Sequence, residues 1–124
     1  MYAELDTRLT DLAADLAEAE VDDPSTLRRL GEISVRLSYL EVLCKRSISA
    51  GMHGGDSFGT ASLAKTVWAE VGQDLAALAF DVFGQNSTRW ADYRLTSRAL
   101  SIAGGTSQVN KNVTARRVLG LPRP

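Results

Sequence analysis

The segment from Ser101 to Val113, SIAGGTSQVNKNV, contains the residues best suited to hold a ligand. Gly104 and Gly105 permit close approach to the backbone, and Thr106 stands where the N-cap of a following helix belongs. A helix N-terminus has unpaired N–H groups and partial positive charge, so it favours phosphate or other acceptor groups. Spacing alone leaves two interpretations open: a cofactor site, or a capped helix that follows a tight turn. Of these, spacing favours the capped helix.

The other reactive side chains form no pattern that supports a metal site. His53, the single histidine, has no acidic or thiol partner at ligand spacing, so we expect a solvated side chain. Cys44 is the only cysteine, which excludes an internal disulfide; it continues an apolar helix stripe and is predicted to be buried. Glu32 and Glu41 are predicted to be solvated carboxylates on helix faces.

Length and charge limit the class of protein. A chain of 124 residues suits one domain, 1–124, that buries a core without disulfides or metals. The net charge of −1 gives no reason to expect nucleic acid or an anionic membrane as a partner. No apolar run approaches the roughly 20 residues of a transmembrane helix, and no signal peptide is apparent. With a single cysteine, the chain is expected to be cytoplasmic.

Apolar residues recur at three- and four-residue spacing, which predicts helices. No strand alternation or internal repeat is present, so the sequence predicts an all-α, antiparallel bundle of the four-helix type. The segments Gly51–Gly59 and Gln85–Trp90 are predicted to be a flexible connection and a polar turn. The predicted helices cover Leu5–Leu16, Pro24 to about Ala50, Thr60 to Gly84, Asp92–Leu100, and Thr106 to just before Gly120.

Several residues are predicted to cap the helices of this bundle or to pack in its core. Asp23 is a good N-cap ahead of Pro24, and Gly84 is placed to end the third helix. Trp68 is assigned to core packing, whereas Trp90 is left open to subunit contacts, because aromatic residues favour interfaces.

The second half of the chain shows more than helix periodicity. Over positions 62–123 it closely resembles the C-terminal helical domain of flavin-dependent acyl-CoA dehydrogenases, whereas the first half matches mainly in periodicity. The resemblance implies an FAD enzyme that oxidises an acyl-CoA thioester to its α,β-unsaturated product. It rests on Ser62-Leu63-Ala64-Lys65, on DVFG at Asp81–Gly84, on Arg98, and on IAGGTSQVNKNVTARRVLGLPR at Ile102–Arg123.

The resemblance also implies roles for residues in the opening segment. Many members of the family have a catalytic glutamate at the position of Gly104, which cannot take a proton. We therefore expect no catalytic base in this chain, and the substrate-binding residues stay unassigned. The implied flavin contacts are Gly104, Gly105, Thr106, Ser107 and Gln108.

A second implied flavin contact lies at Gly84, where the family has a Gly-Gly turn that touches the FAD of a neighbouring subunit. This chain departs from that pattern, since Asp81 replaces a glutamine, and Gln85 and Asn86 replace the second glycine and its follower. An aspartate near a pyrophosphate repels it. Arg98 matches a basic residue that often precedes the motif, whereas the other arginines of this half are assigned to a solvated face.

Two further domains of such enzymes have no counterpart in 124 residues. The chain is therefore expected to correspond to the C-terminal domain of a longer flavoenzyme, and to be inactive and free of FAD when alone. The expected partners are an acyl-CoA in the complete enzyme and other subunits, in a homo-oligomer or with a related subunit. The alternative is a non-catalytic helical interaction subunit or module derived from the family.

Overall fold

A computed structural model describes residues 1–122, except the side chain of Gln85. Arg123, the last residue of the motif series, lies outside the described residues. Within them there is no strand, and the all-α prediction is confirmed. Five α-helices and two short 3₁₀ helices follow one another: α1 Tyr2–Glu18, α2 Pro24–Met52, α3 Ser57–Phe83, 3₁₀ Gly84–Asn86, α4 Thr88–Thr96, 3₁₀ Ser97–Ser101 and α5 Ser107–Arg117.

The long helices α2 and α3 pack antiparallel along most of their length. Near the start of α2, Arg29 pairs with Asp81 at 2.8 Å, close to the end of α3. In the middle, Arg36 pairs with Glu70 at 3.1 Å. At the far end, the Ser47 hydroxyl donates to the Ser57 carbonyl at 3.1 Å. The order of these contacts is reversed between the helices, as the predicted antiparallel bundle requires.

Helix α3 is the centre of the bundle and contacts each of the other helices. Its small residues allow this, because they let neighbouring helices come close. At Gly72, an added Cβ would lie only 2.4 Å from Leu100 Cδ1 and 3.4 Å from Leu5 Cδ2. The core around α3 contains Leu5, Leu12, Leu16, Ile33, Leu37, Leu40, Ala64, Val71, Leu75, Ala76, Leu78, Ala79, Trp90 and Tyr93.

The connection between α2 and α3 is shorter than predicted. The segment Gly51–Gly59 was expected to be flexible, but α2 continues to Met52 and α3 begins at Ser57. Asp56 causes the early start, because its carboxylate accepts from the N–H groups of Phe58 and Gly59 at 3.1 and 3.3 Å. Only residues 53–56 remain between the helices.

The fourth helix was predicted with the observed length of nine residues but four residues too late. It begins at Thr88, because the Ser87 hydroxyl caps it by accepting from the Trp90 N–H at 3.5 Å. Much of the predicted polar turn Gln85–Trp90 is therefore helical. The part assigned to Ser97–Leu100 is instead a 3₁₀ helix packed on α3.

Both tryptophans pack in or against the core. Trp90, which was left open to subunit contacts, is 1% exposed and belongs to the core. Its indole N–H donates to Asp15 Oδ2 at 2.7 Å, so its polar atom is satisfied inside the bundle. Trp68 is only partly buried and lies at the edge of the core. Cys44 is likewise half-buried and not fully enclosed.

Candidate functional site

The turn before α5 has the geometry that its two glycines predict. Gly104 and Gly105 both have positive φ angles, of 69° and 97°. Residues with a Cβ rarely adopt this conformation, and two in succession require glycine. Thr106 then caps α5, since its hydroxyl oxygen accepts from the Val109 N–H at 3.3 Å. The predicted helix start at Thr106 is confirmed, with Ser107 as the first helical residue.

A residue that the sequence did not single out holds this turn in place. Asn110 is 7% exposed, and its amide Nδ2 donates to the carbonyls of Gly105 and Thr106 at 2.8 and 3.1 Å. A side chain on Gly105 would crowd the same amide, at 3.3 Å from Nδ2. The sequence did hold a signal, because asparagine is a weak helix former that prefers bonds to nearby backbone.

The first N–H groups of α5 have no acceptor within the helix. The Asn110 N–H bonds the Thr106 carbonyl at 3.0 Å, so the N–H groups of Ser107 and Gln108 precede the first such bond of the helix. Gly104, Gly105, Thr106 and Gln108 are exposed, and Ser107 is half-buried. The structure thus brings all five residues of the predicted segment together. They form an accessible surface that can accept an anionic or carbonyl-rich group.

Lys65 adds a positive charge beside this turn. Its ammonium donates to the Leu100 carbonyl at 2.6 Å, and its Cε lies 3.5 Å from where a Cβ on Gly104 would stand. Burial lowers the pKa of Lys65, and its ammonium also lies 5.2 Å from the centre of the Trp68 ring. Lys65 therefore fastens the segment before α5 to α3. In the sequence, the only indication that Lys65 matters was its place in the motif Ser62-Leu63-Ala64-Lys65.

The position of Gly104 holds no proton acceptor. A glutamate there would be strained because φ is +69°, and the neighbouring side chain is the cationic Lys65. Glu41 pairs with Lys45 at 2.7 Å on the surface of α2, and Glu32 is exposed on the same helix. Both carboxylates have the solvated positions expected of them.

Gly84 lies far from the α5 N-terminus within one chain. It ends α3 with φ of 53°, as predicted, and its N–H donates to the Phe80 carbonyl. Lys65, next to the glycine turn, precedes it by nineteen residues of one helix, which corresponds to roughly 28 Å. The two groups of predicted contacts therefore do not form one pocket in a single chain.

The charges near Gly84 are partly compensated. Asp81, the departure from the family pattern, pairs with Arg29 at 2.8 Å, with both side chains substantially exposed. This pair reduces the repulsion that an anionic group would meet at that end of α3. Arg98 is exposed in the 3₁₀ helix Ser97–Ser101.

Other kinds of site are not found in residues 1–122. No three His, Cys, Asp or Glu side chains in this range are grouped so that they could hold a metal ion. The His53 ring donates from Nδ1 to the Ser49 carbonyl at 2.8 Å and is exposed. None of the described helices combines the length and the apolar character needed to cross a membrane.

Comparison with known proteins gives consistent matches. The family model described as "Acyl-CoA dehydrogenase, C-terminal domain" matches residues 7–119. Acyl-CoA dehydrogenase IpdE1 of Mycolicibacterium smegmatis is 31% identical over 130 aligned positions, which cover 98% of this chain and 31% of that protein. IpdE1 of Mycobacterium tuberculosis is also 31% identical, with 99% of this chain and 33% of the relative covered.

A third relative, acyl-CoA dehydrogenase FadE34 of Mycobacterium tuberculosis, is 31% identical over 93% of this chain and 16% of its own length. No solved structure matches the chain significantly. The chain thus spans about a third of the length of the first two relatives.

Proposed function

The chain belongs to the acyl-CoA dehydrogenase family, and we propose that it is the C-terminal helical domain of an FAD-dependent member, with residues 1–124 as one domain. The complete enzyme would oxidise an acyl-CoA thioester to the α,β-unsaturated product in the cytoplasm. One observation carries the proposal: within the region that matches the family, two glycines with positive φ are followed directly by an accessible helix N-terminus.

In this proposal, a bound flavin would supply the hydride acceptor for the β-hydrogen, and residues of this chain would help to hold it in place. Ser107 and Gln108 offer N–H groups that precede the first bond of α5, and Gly104 and Gly105 leave room for close approach. Gly84, at the other end of α3, would contact the flavin of a neighbouring subunit. This arrangement requires an oligomer, because within one chain Gly84 and the α5 N-terminus lie at opposite ends of α3 and cannot contact the same flavin.

Gly104 has no group to remove the α-proton. The base must therefore come from another part of the complete polypeptide or from a related subunit. This observation also supports a second candidate, in which the chain is a non-catalytic helical subunit that assembles with an active partner. The two candidates differ in whether the polypeptide that carries this domain also carries the base.

The first test measures flavin binding. The chain purified alone should be colourless, whereas the complete polypeptide or subunit complex that contains it should retain FAD. Within that complex, Ser107→Pro should weaken FAD binding by about three- to tenfold, the effect of losing one hydrogen bond, because it removes the Ser107 N–H at the first position of α5, where proline fits. Ser107→Ala is the matched control, since it removes the side-chain hydroxyl at the same position and keeps the N–H.

Titration with FAD, followed by flavin fluorescence, gives both affinities. Equal affinity in the two variants would contradict the assignment of the α5 N-terminus as a flavin contact. An active complex whose base residue maps to a different polypeptide would favour the second candidate.

A further inference from the structure

Lys65 differs from the other two lysines of the chain in how its charge is balanced. Lys45 pairs with Glu41 at 2.7 Å on the surface of α2. Lys111 pairs with Glu70 at 3.8 Å, between α5 and α3. Lys65 is half-buried on α3, and no carboxylate among the described residues influences it. Withdrawing an ammonium from water without a counter-charge costs free energy, so a lysine held in this way needs a compensating role.

The ammonium of Lys65 contacts a backbone carbonyl and an aromatic ring. It donates to the Leu100 carbonyl at 2.6 Å, and it lies 5.2 Å from the centre of the Trp68 ring. The indole Nε1 of Trp68 is buried and has no hydrogen-bond partner among the described residues. Trp68 therefore offers the face of its ring to the ammonium, and not its N–H to an acceptor. A charge-assisted hydrogen bond in such partly buried surroundings is stronger than one in water.

The Leu100 carbonyl is the last point at which the 3₁₀ helix Ser97–Ser101 is bonded to α3 before the glycine turn. The other such point is the Ser97 carbonyl, which accepts from the Gln73 amide at 3.3 Å. Among the described residues, positions 101–105 form no hydrogen bond to α3; their bonds stay within the segment and its own turn. The bond at Leu100 therefore limits how far the glycine turn can move.

We propose that Lys65 is a positioning residue for the flavin contacts of the α5 N-terminus. Its ammonium holds the Leu100 carbonyl and thereby sets the place of the glycine turn. The turn in its place presents the N–H groups of Ser107 and Gln108. An anchored turn loses less conformational entropy when a ligand binds, so the tether raises the affinity for FAD. This inference deepens the proposed function and rests on it, because it concerns the same contacts.

Lys65→Met tests the tether in the 124-residue chain itself. The variant removes the ammonium but keeps an unbranched apolar stem, so it isolates the bond to Leu100. The amides of Ile102 and Ala103, which both donate to the Ala99 carbonyl, should then exchange with deuterium about tenfold faster. Circular dichroism should show unchanged helix content. Unchanged exchange at these two amides would overturn the tether.

The complete polypeptide or subunit complex tests the consequence for the cofactor. There Lys65→Met should weaken FAD binding about tenfold, measured by titration of flavin fluorescence. Lys111→Met is the matched control, because it also removes a lysine charge that links to α3, but in an exposed ion pair with Glu70. The control should change exchange and affinity by less than about twofold. Equal losses of affinity in both variants would assign the effect to overall charge and overturn the proposal.

The pH dependence of FAD affinity separates the ammonium of Lys65 from its stem. Burial lowers the pKa of Lys65, and no charged side chain among the described residues contributes to that shift. On the elements nearby, Arg98 is exposed and Lys111 is paired with Glu70. The ammonium exists only below its pKa, so wild type loses the charge-assisted bond as pH rises from about 8 to about 10.5. The ratio of the FAD dissociation constants of Lys65→Met and wild type should fall over this range, and a constant ratio would overturn the proposal.

Ser107→Pro separates failure of this inference from failure of the flavin assignment. If Ser107→Pro weakens FAD binding and Lys65→Met does not, the positioning role is overturned and the flavin contact stands. If Lys65→Met speeds exchange at the turn but neither variant alters FAD affinity, the flavin assignment fails and the positioning role fails with it. Faster exchange together with weaker FAD binding in Lys65→Met, alongside weaker binding in Ser107→Pro, supports both.

Discussion

Gly72→Ala tests the packing at the centre of the bundle, because the same substitution at Gly31 should have the opposite effect. Alanine is favoured over glycine in a helix interior by about 1 kcal/mol, and this gain applies at both positions. At Gly31 nothing opposes it, since the space around an added Cβ is open in this chain. Gly31→Ala should therefore stabilise the monomer by about 0.5–1 kcal/mol.

At Gly72 the gain is outweighed by crowding. The added Cβ would lie 2.4 Å from Leu100 Cδ1, so Leu100 must retract by about 1 Å to reach ordinary contact. Leu5 Cδ2 at 3.4 Å and Tyr93 Oη at 3.5 Å leave little space for the rearrangement. Lys65 also holds the Leu100 carbonyl at 2.6 Å. An overpacking cost of about 2–3 kcal/mol leaves Gly72→Ala less stable than wild type by about 1–2 kcal/mol.

Urea unfolding, followed by circular dichroism on dilute protein, measures both changes on the monomer. The two variants should differ by about 2–3 kcal/mol with similar m-values. If Gly72→Ala stabilised the chain as much as Gly31→Ala does, the 3₁₀ helix Ser97–Ser101 would not pack against α3 as described.

Two further predictions concern buried polar atoms and use the same urea measurement. Asp15→Ala leaves the Trp90 indole N–H buried without its acceptor, which should lower the free energy of unfolding by about 1–3 kcal/mol. Asp11→Ala removes only a surface ion pair with Arg89 at 3.6 Å and should lower it by less than about 1 kcal/mol. Comparable losses in both variants would contradict the assigned Trp90 bond. Burial raises the pKa of Tyr93 to about 12, so between pH 10 and 12 the unfolded chain releases this proton first and stability falls by about 2 kcal/mol. Tyr93→Phe should remove this alkaline decrease in the free energy of unfolding. It should cause no loss of stability at neutral pH, because the Tyr93 hydroxyl has no hydrogen-bond partner among the described residues. An unchanged alkaline decrease in the variant would refute this.

Helix content was predictable because it depends on local periodicity and capping. The stripes of α1, α2 and α3 and the caps Asp23, Gly84 and Thr106 all occur as predicted. The errors lie where a cap begins a helix ahead of its apolar residues. Asp56 and Ser87 each start a helix earlier than the apolar pattern does, and a periodicity argument follows the apolar residues and not the caps.

The apolar periodicity of the sequence could not predict which residues are covered by tertiary contacts. Leu27 and Ile48 continue the apolar stripe of α2, yet they are 46% and 65% exposed, because the described neighbouring helices do not cover its ends. Trp90 packs in the core, and Asp15, seventy-five positions away, satisfies its indole N–H there. No local pattern reports a partner at that separation.

The sequence alone determined that this protein is helical, where most helices lie, and that the α5 N-terminus follows a turn only glycines adopt. It also carried the family motif, since that motif is a property of residue order. Only the tertiary structure decided that Asn110 and Lys65 hold the turn and that Gly84 and Gly104 are kept apart. It also decided that Val35, Tyr39 and Val42 of α2 are exposed. The physical reason is that periodicity and capping act within a few residues, whereas burial and charge pairing depend on which helices meet.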